Sequence, residues 1–320
     1  MRSIKLTAFL LAVIITVPCF FGCTDLVSRF YPYETKEEAT YSFTPVTASE
    51  GDFYFSDFDG NVISIPSAPE RIVSLSVVST EIICGIGASR YIIGLDSSSA
   101  NLDGAPINAA VVPYYYMSFA DVVALEPDLV FYSSEYISPL TLDALKNTDI
   151  KLVRIPGSGN IETAEANIRF ISALLFKEEA GSKIVEEMRY EFEKIKKSAS
   201  LVGVRKKIYI EYMNEFYTCG GDTLLSEICD MAGFENVYAD IKGNGSVNAS
   251  SLLNTDPEII LLVGSNNVNE NTVRNRKSIE KVSAVRENKI YAYDISGALR
   301  PTQNIVNTAK DIAKLLGTTN

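Results

Sequence analysis

The chain has 320 residues, 47% of them hydrophobic, and a formal net charge of −11, which fits a folded acidic protein and makes nucleic acid and anionic membrane surfaces poor partners. It contains no histidine, so Ser-His-Asp and Cys-His catalysis, HExxH zinc sites and other His-ligated metal centres are excluded. Tryptophan is also absent whereas tyrosine occurs 17 times, so aromatic recognition must rely mainly on Tyr and Phe.

The N-terminus has the pattern of an export signal. Two basic residues precede an almost wholly apolar run, 6–21, which is shorter than the roughly 20 residues of a typical spanning helix. Gly22 directly before Cys23 resembles the cleavage site of a bacterial lipoprotein signal. This pattern predicts a signal peptide over 1–22 and a lipid anchor on Cys23. A plain signal peptide and an N-terminal anchor helix are the alternatives, and all three place the protein outside the cytoplasm, in the periplasm or at the cell surface.

The segment that follows is expected to link the anchor to the folded body. Residues 23–52 mix Thr, Ser, Glu and Pro without sustained periodicity, which indicates a flexible tether. The body then begins with FYFSDFDGNVISIP over 53–66. Because Asp59-Gly60 separates two alternating apolar runs, this stretch predicts a β-hairpin.

The body contains two internal echoes. DVVALEPDLVF (121–131) and SLLNTDPEIIL (251–261) lie 130 residues apart, and each predicts the end of a helix, a turn at proline and a buried parallel strand. EIICGIG (81–87) and EICDMAG (227–233) precede them in the same order. Strands alternating with helices in both halves predict a duplicated α/β chain with parallel sheets. The two predicted lobes span 53–160 and 201–320.

A long helical stretch separates the two halves. Apolar residues recur near a 3.6-residue period over 161–200, although Gly181 interrupts the pattern, so two helices or one kinked helix are both compatible with it. The predicted fold is therefore two similar Rossmann-like α/β lobes with parallel sheets, joined by a long rigid helix. Because ligands bind beyond the carboxyl ends of such strands, we expect a ligand cleft between the lobes.

Four stretches of this body resemble a known family. They are PERIVSLSVVSTEIICGIGASRYIIGL (69–95), DVVALEPDLVF (121–131), GGDTLLSEICDMAGFENV (220–237) and the segment from SAVRENKIYAYD to LRPTQ (283–303). In this order they resemble the periplasmic-binding-protein family that serves ABC importers of cobalamin, ferric siderophores and haem. The resemblance implies a non-enzymatic lipoprotein that delivers a metal-chelate ligand to a permease. It also implies no intrinsic cofactor and no protein metal site, because the chelate brings its own cobalt or iron.

The resemblance further implies which side chains contact the ligand, all of them in loops that follow strands. Tyrosine suits a flat macrocycle, because it offers a broad amphipathic face with a polar tip, and it can also ligate ferric iron directly. Ordinary roles compete with each assignment: half-buried loop aromatics, a packed core tyrosine, turn chemistry at the serine and a surface position for the arginine. The implied contacts are Tyr114, Tyr115, Tyr116, Met117, Ser133, Tyr217 and Arg300.

One departure from the family concerns the permease. Transport-active relatives usually carry a surface Glu on each lobe that pairs with permease arginines, and these positions fall at Ala120 and Ser250 here. Asp121 is adjacent to the first and is the candidate substitute. The departure removes the usual contacts for permease docking and raises an alternative, a surface protein that acts as a sensor or scavenger. A monomer is expected.

Two further alternatives concern chemistry and ligand charge. A secreted hydrolase is the remote alternative, because Asp57, Asp59, Asp96 and Glu135 offer carboxylates, but no pair of them has a diagnostic spacing.

Strongly anionic siderophores favour clustered Arg or Lys, whereas the candidate loops offer chiefly Arg300. The loops therefore favour a near-neutral ligand that contacts aromatic rings, such as a corrinoid.

Overall fold

The computed structural model describes residues 46–47, 53–113, 118–133, 137–264, 269–293 and 299–315. Within these ranges the chain forms a small antiparallel sheet and two larger sheets built mainly from parallel strands, with helices packed against them. The predicted signal peptide and Cys23 lie outside the described residues, so the lipid anchor stays a prediction. No helix of the described part is both long and apolar enough to cross a membrane.

The small sheet contains the predicted hairpin. Its three antiparallel strands, in the order β1-β2-β3, are β1 (Val46–Thr47), β2 (Phe53–Ser56) and β3 (Val62–Ile65). Between β2 and β3 the buried Asp57 carboxylate accepts two backbone N–H bonds of the turn, at 2.8 and 2.9 Å. Gly60 has a φ of 80°, a left-handed conformation that favours glycine, so the hairpin prediction is confirmed.

The N-terminal lobe is a five-stranded parallel sheet in the order β6-β5-β4-β7-β8. Its central strands are buried along their whole length and lie between helices, as the continuous apolar runs predict. The strands are β4 (Ile72–Leu75), β5 (Ile92–Asp96), β6 (Ala110–Val112), β7 (Leu129–Tyr132) and β8 (Lys151–Arg154). The helices are α1 (Val77–Gly85), α2 (Phe119–Val123) and α3 (Pro139–Lys146), with a 3₁₀ turn at Ser89–Tyr91.

The segment that joins the lobes consists of two helices, one of the two forms compatible with its sequence. They are α4 (Ile161–Leu174) and α5 (Glu178–Val202), and α5 alone is about 37 Å long. The break falls around Phe176, whose φ is 54°, and not at Gly181. Gly181 instead lies inside α5 against α4, where an added Cβ would come within 2.0 Å of the Ser172 Oγ. Glycine is therefore required there for the close approach of the two helices.

The C-terminal lobe has a six-stranded mixed sheet in the order β12-β10-β9-β13-β14, with β11 also paired to β9. Strand β10 is antiparallel to both of its neighbours, β12 and β9, and the other three pairs are parallel. The strands are β9 (Lys206–Tyr212), β10 (Tyr217–Cys219), β11 (Phe234–Asn236), β12 (Asn244–Ser246), β13 (Ile259–Val263) and β14 (Ile290–Tyr293). The helices are α6 (Leu224–Met231), α7 (Ala249–Thr255), α8 (Glu270–Arg274), α9 (Ser283–Arg286) and α10 (Ile305–Lys314), with a 3₁₀ turn at Lys277–Ile279.

The two lobes repeat the same topology, as the internal echoes predict. In one lobe β4 lies between β5 and β7 with β8 beyond, and in the other β9 lies between β11 and β13 with β14 beyond. The residues just before the two echoed prolines, Glu126 and Asp256, both have left-handed backbones, with φ of 47° and 43°. The acids just after the prolines also share a role: Asp128 and Glu258 each accept a backbone N–H from the start of the neighbouring first strand.

The hydrophobic core is continuous between the lobes. One cluster of buried side chains joins the inner faces of the two larger sheets through α4 and α5, and it includes Ile72, Ile168 and Ile208. The opposite face of each sheet packs against its own smaller cluster. The linking helices are therefore part of the core of both lobes, which stabilises their relative position.

Candidate ligand-binding cleft

Segments that follow the carboxyl ends of β8 and β14, the last strand of each lobe, meet at α4. Asn167, fully buried in α4, donates from Nδ2 to the main-chain oxygen of Pro156 at 3.1 Å and to that of Pro301 at 3.3 Å. Pro156 follows β8 of the N-terminal lobe, and Pro301 lies in the segment that follows β14 of the C-terminal lobe. Because parallel α/β sheets bind ligands beyond these ends, we place the candidate cleft here.

Arg300 crosses from the C-terminal segment to the N-terminal lobe at this place. Its Nη2 lies 2.5 Å from Oε1 of Glu81 in α1, and the Thr302 hydroxyl donates to Oε2 of the same carboxylate at 2.8 Å. The Glu81 side chain is 5% exposed and the Arg300 side chain 27%. The positive charge of Arg300 is therefore compensated by a buried carboxylate, while part of its side chain reaches solvent. A direct contact of Arg300 with the ligand stays a prediction.

Ser133 lies at the carboxyl end of β7 in a buried hydroxyl network. Its Oγ donates to the main-chain oxygen of Ile155 at 2.9 Å and is 2.8 Å from the Oγ of Ser76. Ser74, at the end of β4, makes two similar hydroxyl contacts to Ser79 and to a threonine of α1, at 2.7 and 2.8 Å. Ser133 is 1% exposed, so its described role is to tie β7 to β4 and β8. Contact of Ser133 with the ligand stays a prediction.

Tyr217 opens β10 beside the carboxyl end of β9. Its ring stacks on that of Tyr212, with 6.4 Å between the ring centroids and 28° between the planes, and both rings are half-buried. The connection between the two strands contains Met213 and Phe216 with left-handed φ values of 63° and 54°. Such backbones persist only where neighbouring contacts hold them.

A buried ion pair stabilises this turn. Arg276 donates from Nη1 and Nη2 to the two oxygens of Glu211, each at 2.7 Å, and the two side chains are 9% and 1% exposed. Glu211 also accepts the Phe216 backbone N–H at 3.2 Å and the Tyr209 hydroxyl at 3.1 Å. The guanidinium lies over the Phe216 ring, 5.3 Å from its centroid. The pair therefore fixes the turn that leads into Tyr217.

The electrostatics follow from this pairing. Burial by itself would lower the pKa of Arg276, but its hydrogen bonds to Glu211 and the negative charges of Glu211 and Glu215 together outweigh that effect and raise it. The pKa of Tyr209 is raised, first by burial and then by the negative charge of Glu211. Burial also raises the pKa of Tyr132 and of Tyr293, the last residues of β7 and β14. All three phenols are therefore neutral at physiological pH.

The remaining predicted contacts lie outside the described residues. Tyr114, Tyr115, Tyr116 and Met117 follow β6, whose register with β5 brings its carboxyl end to the same edge of the sheet. Their contact with a ligand stays a prediction.

Sequence reasoning missed four polar residues that the fold places at or near the cleft. Glu81 and Glu211 carried a signal, because each is the only acid of its helix or strand and adjoins a run of apolar residues, and such acids are rarely buried without a partner. Asn167 and Arg276 carried none, because polar residues on a helix or in a loop are usually solvated.

The carboxylates considered for hydrolysis have structural partners where they are described. Asp57 holds the hairpin turn, Asp59 pairs with Arg154 at 2.6 Å, and Asp96 accepts from Ser98 and Ser99. Burial raises the pKa of Asp96. Glu135 lies outside the described residues. Among the residues that are described, no group of three or more Cys, Asp or Glu side chains is arranged to hold a metal ion.

Comparisons with known proteins agree with this architecture. A family model described as "Periplasmic binding protein" matches residues 72–295. The ABC transporter substrate-binding lipoprotein YvrC of Bacillus subtilis is 22% identical over 267 residues, 81% of this chain and 83% of the relative. The vitamin B12-binding protein of Vibrio campbellii is 23% identical over 248 residues, 77% of this chain and 88% of the relative. A possible iron-binding periplasmic protein of Staphylococcus epidermidis superposes with a TM-score of 0.71 at 21% identity, over 78% of this chain and 99% of that chain.

Proposed function

The chain belongs to the periplasmic binding protein family, and we propose that its cleft binds a metal chelate for delivery to an ABC permease. The family binds substrates and does not catalyse reactions, so the protein is not an enzyme. The ligand classes are a corrinoid, a ferric siderophore or haem, each of which carries its own metal. The proposal is supported by the meeting at Asn167 of the segments that follow β8 and β14, and by the ligands named for the relatives.

Within these classes we favour a corrinoid, and the observation that carries this choice is the pairing of the arginines. Arg300 and Arg276 are each bonded to a buried glutamate, so neither offers a full positive charge to a strongly anionic siderophore. A near-neutral macrocycle held against Tyr217 is compatible with this pairing.

Anchoring and docking belong to the same proposal. We infer that Cys23 carries the lipid anchor and that a monomer docks on its permease through the exposed starts of α2 and α7, where Ala120 and Ser250 occupy equivalent places. Asp121 is less available to a permease arginine, because its carboxylate already accepts hydrogen bonds from the N–H and the hydroxyl of Ser118. Docking must then rely on other contacts. A sensor or scavenger without a permease is not favoured, since relatives are named as transport components.

The ligand class can be identified by mixing the mature protein with candidate chelates. Cyanocobalamin at 100 times its Kd is expected to stabilise the folded state by about 2.7 kcal/mol, because it binds only that state. This raises the unfolding midpoint by roughly 5 °C or more. Haemin and a ferric tris-catecholate serve as comparisons in the same thermal assay, and native mass spectrometry with an absorbance scan detects a chromophore carried through purification. No shift with any of the three chelates would refute the proposed function.

The aromatic contacts can be tested singly. Tyr217→Ala and Tyr114→Ala are each expected to weaken corrinoid binding by about 1–3 kcal/mol, because each removes a broad protein ring that contacts the ligand. Tyr190→Ala is the matched control, since this ring lies 66% exposed on α5. Isothermal titration gives the three Kd values. A Tyr217→Ala protein with the affinity of the Tyr190→Ala control would remove Tyr217 from the site.

A further inference from the structure

The two lobes carry duplication-related glutamates in equivalent helices. Glu81 lies in α1 and Glu227 in α6, each in the first helix of its half, where the repeated Glu-Ile pattern occurs. Each carboxylate bonds to a segment that follows the last strand of the other half of the chain. Glu81 binds Arg300 and Thr302, and Glu227 accepts the backbone N–H of Ile161 at 3.0 Å.

The two glutamates differ in what they neutralise. The partner of Glu227 is a backbone N–H at the start of α4, which carries only a partial charge. The partner of Glu81 is the full charge of Arg300, held at 2.5 Å. The duplication therefore supplies one purely structural bond and one bond that changes the charge of the cleft.

The surroundings of Glu81 make its neutralising effect strong. Both carboxylate oxygens are used, one by Arg300 and one by the Thr302 hydroxyl, and Gln303 donates to the main-chain oxygen of Glu81 at 2.8 Å. With 5% exposure, the carboxylate is poorly screened by solvent. Arg300, 27% exposed, thus has a fixed negative charge behind it and presents little net positive potential to an incoming ligand.

We propose that Glu81 is a specificity-determining residue, because by neutralising Arg300 it makes the cleft prefer near-neutral chelates to anionic ones. This inference rests on the proposed function. The sequence could explain the preference for near-neutral chelates only by the small number of Arg and Lys residues in the candidate loops. The structure attributes this preference to the Glu81 side chain.

The test is the ratio of two affinities in matched variants. Glu81→Gln keeps the size and a hydrogen-bonding amide but removes the charge, so it is expected to raise affinity for a ferric tris-catecholate relative to cyanocobalamin by about tenfold. Because the gain is electrostatic, it should diminish as salt rises. The double variant Glu81→Gln/Arg300→Gln should return the ratio to that of the parent, and Glu227→Gln should leave it unchanged.

A second variant keeps the inference testable if Glu81→Gln does not fold in a thermal melt. Arg300→Gln alone leaves Glu81 without its cation, so the ratio should change in the opposite direction, toward cyanocobalamin. An unchanged ratio in a folded Glu81→Gln or Arg300→Gln protein that still binds cyanocobalamin overturns the inference alone. A parent protein that binds none of the tested chelates overturns the proposed function, and the inference with it.

Discussion

Replacing Arg276 by methionine is expected to lower the free energy of unfolding by about 3–5 kcal/mol, because the Glu211 carboxylate would remain buried without its counter-ion. Glu211 is 1% exposed and receives both of its guanidinium bonds at 2.7 Å, so solvent cannot replace the lost partner. Urea denaturation of parent and variant measures the difference. The variant should also bind its ligand more weakly, since Glu211 accepts the N–H of Phe216 just before Tyr217.

The controls for this prediction come from the same segment. Lys277, the next residue, has a side chain 93% exposed and pairs with Glu280 at 3.8 Å. Lys277→Met should therefore change stability by less than about 0.5 kcal/mol. The double variant Glu211→Gln/Arg276→Met should recover much of the lost stability, because it removes the stranded charge. Equal losses of unfolding free energy in Arg276→Met and Lys277→Met would show that the Arg276–Glu211 pair does not stabilise the fold more than an exposed pair does.

Gly220→Ala is expected to lower the free energy of unfolding by about 3 kcal/mol, the second largest effect. The added methyl group would overlap backbone atoms, and a side-chain rotation cannot relieve that overlap. An added Cβ would lie 2.0 Å from the carbonyl oxygen of Ile241 and 2.6 Å from that of Gly243. The Gly220 N–H also bonds to the Gly243 oxygen at 2.7 Å, so the two segments cannot separate without losing that bond. Thermal unfolding of the variant measures the cost.

Gly243→Ala distinguishes close approach from conformational strain. Gly243 has a φ of 62°, but an added Cβ there would meet no atom within 4 Å. Its expected cost is about 1–2 kcal/mol, the penalty of a left-handed backbone for an L residue. If Gly220→Ala lowered the free energy of unfolding no more than Gly243→Ala does, the close backbone contact at the end of β10 would not require glycine.

The duplication was predictable because its signal is local. Acid-Pro-acid elements 130 residues apart mark equivalent turns, and the structure gives both the same left-handed residue before proline and the same backbone acceptor after it. Strands β10 and β12 were not predictable in this way. Their sequences, YTC and NGS, lack alternating apolar residues, and their pairing depends on the turn that Glu211 and Arg276 hold.

The linking segment shows how far periodicity reaches. The 3.6-residue pattern continues on both sides of Phe176, so it predicts helix throughout but does not locate the break. Glycine is a weak guide, because it can permit close packing as readily as it ends a helix. Gly181 takes the first role, against Ser172 of α4.

Composition, hydrophobic periodicity and repeated short motifs alone establish the α/β class, the two repeated halves and the exclusion of histidine chemistry, because these properties depend on residue types and on neighbours near in the chain. The polar contacts at the cleft are of another kind. Thr302 and Glu81 are 221 positions apart, and Arg276 and Glu211 are 65 apart. A buried charge is stable only opposite a partner, and the folded path of the chain selects that partner, so the charge balance of the cleft emerges only when both lobes are in place.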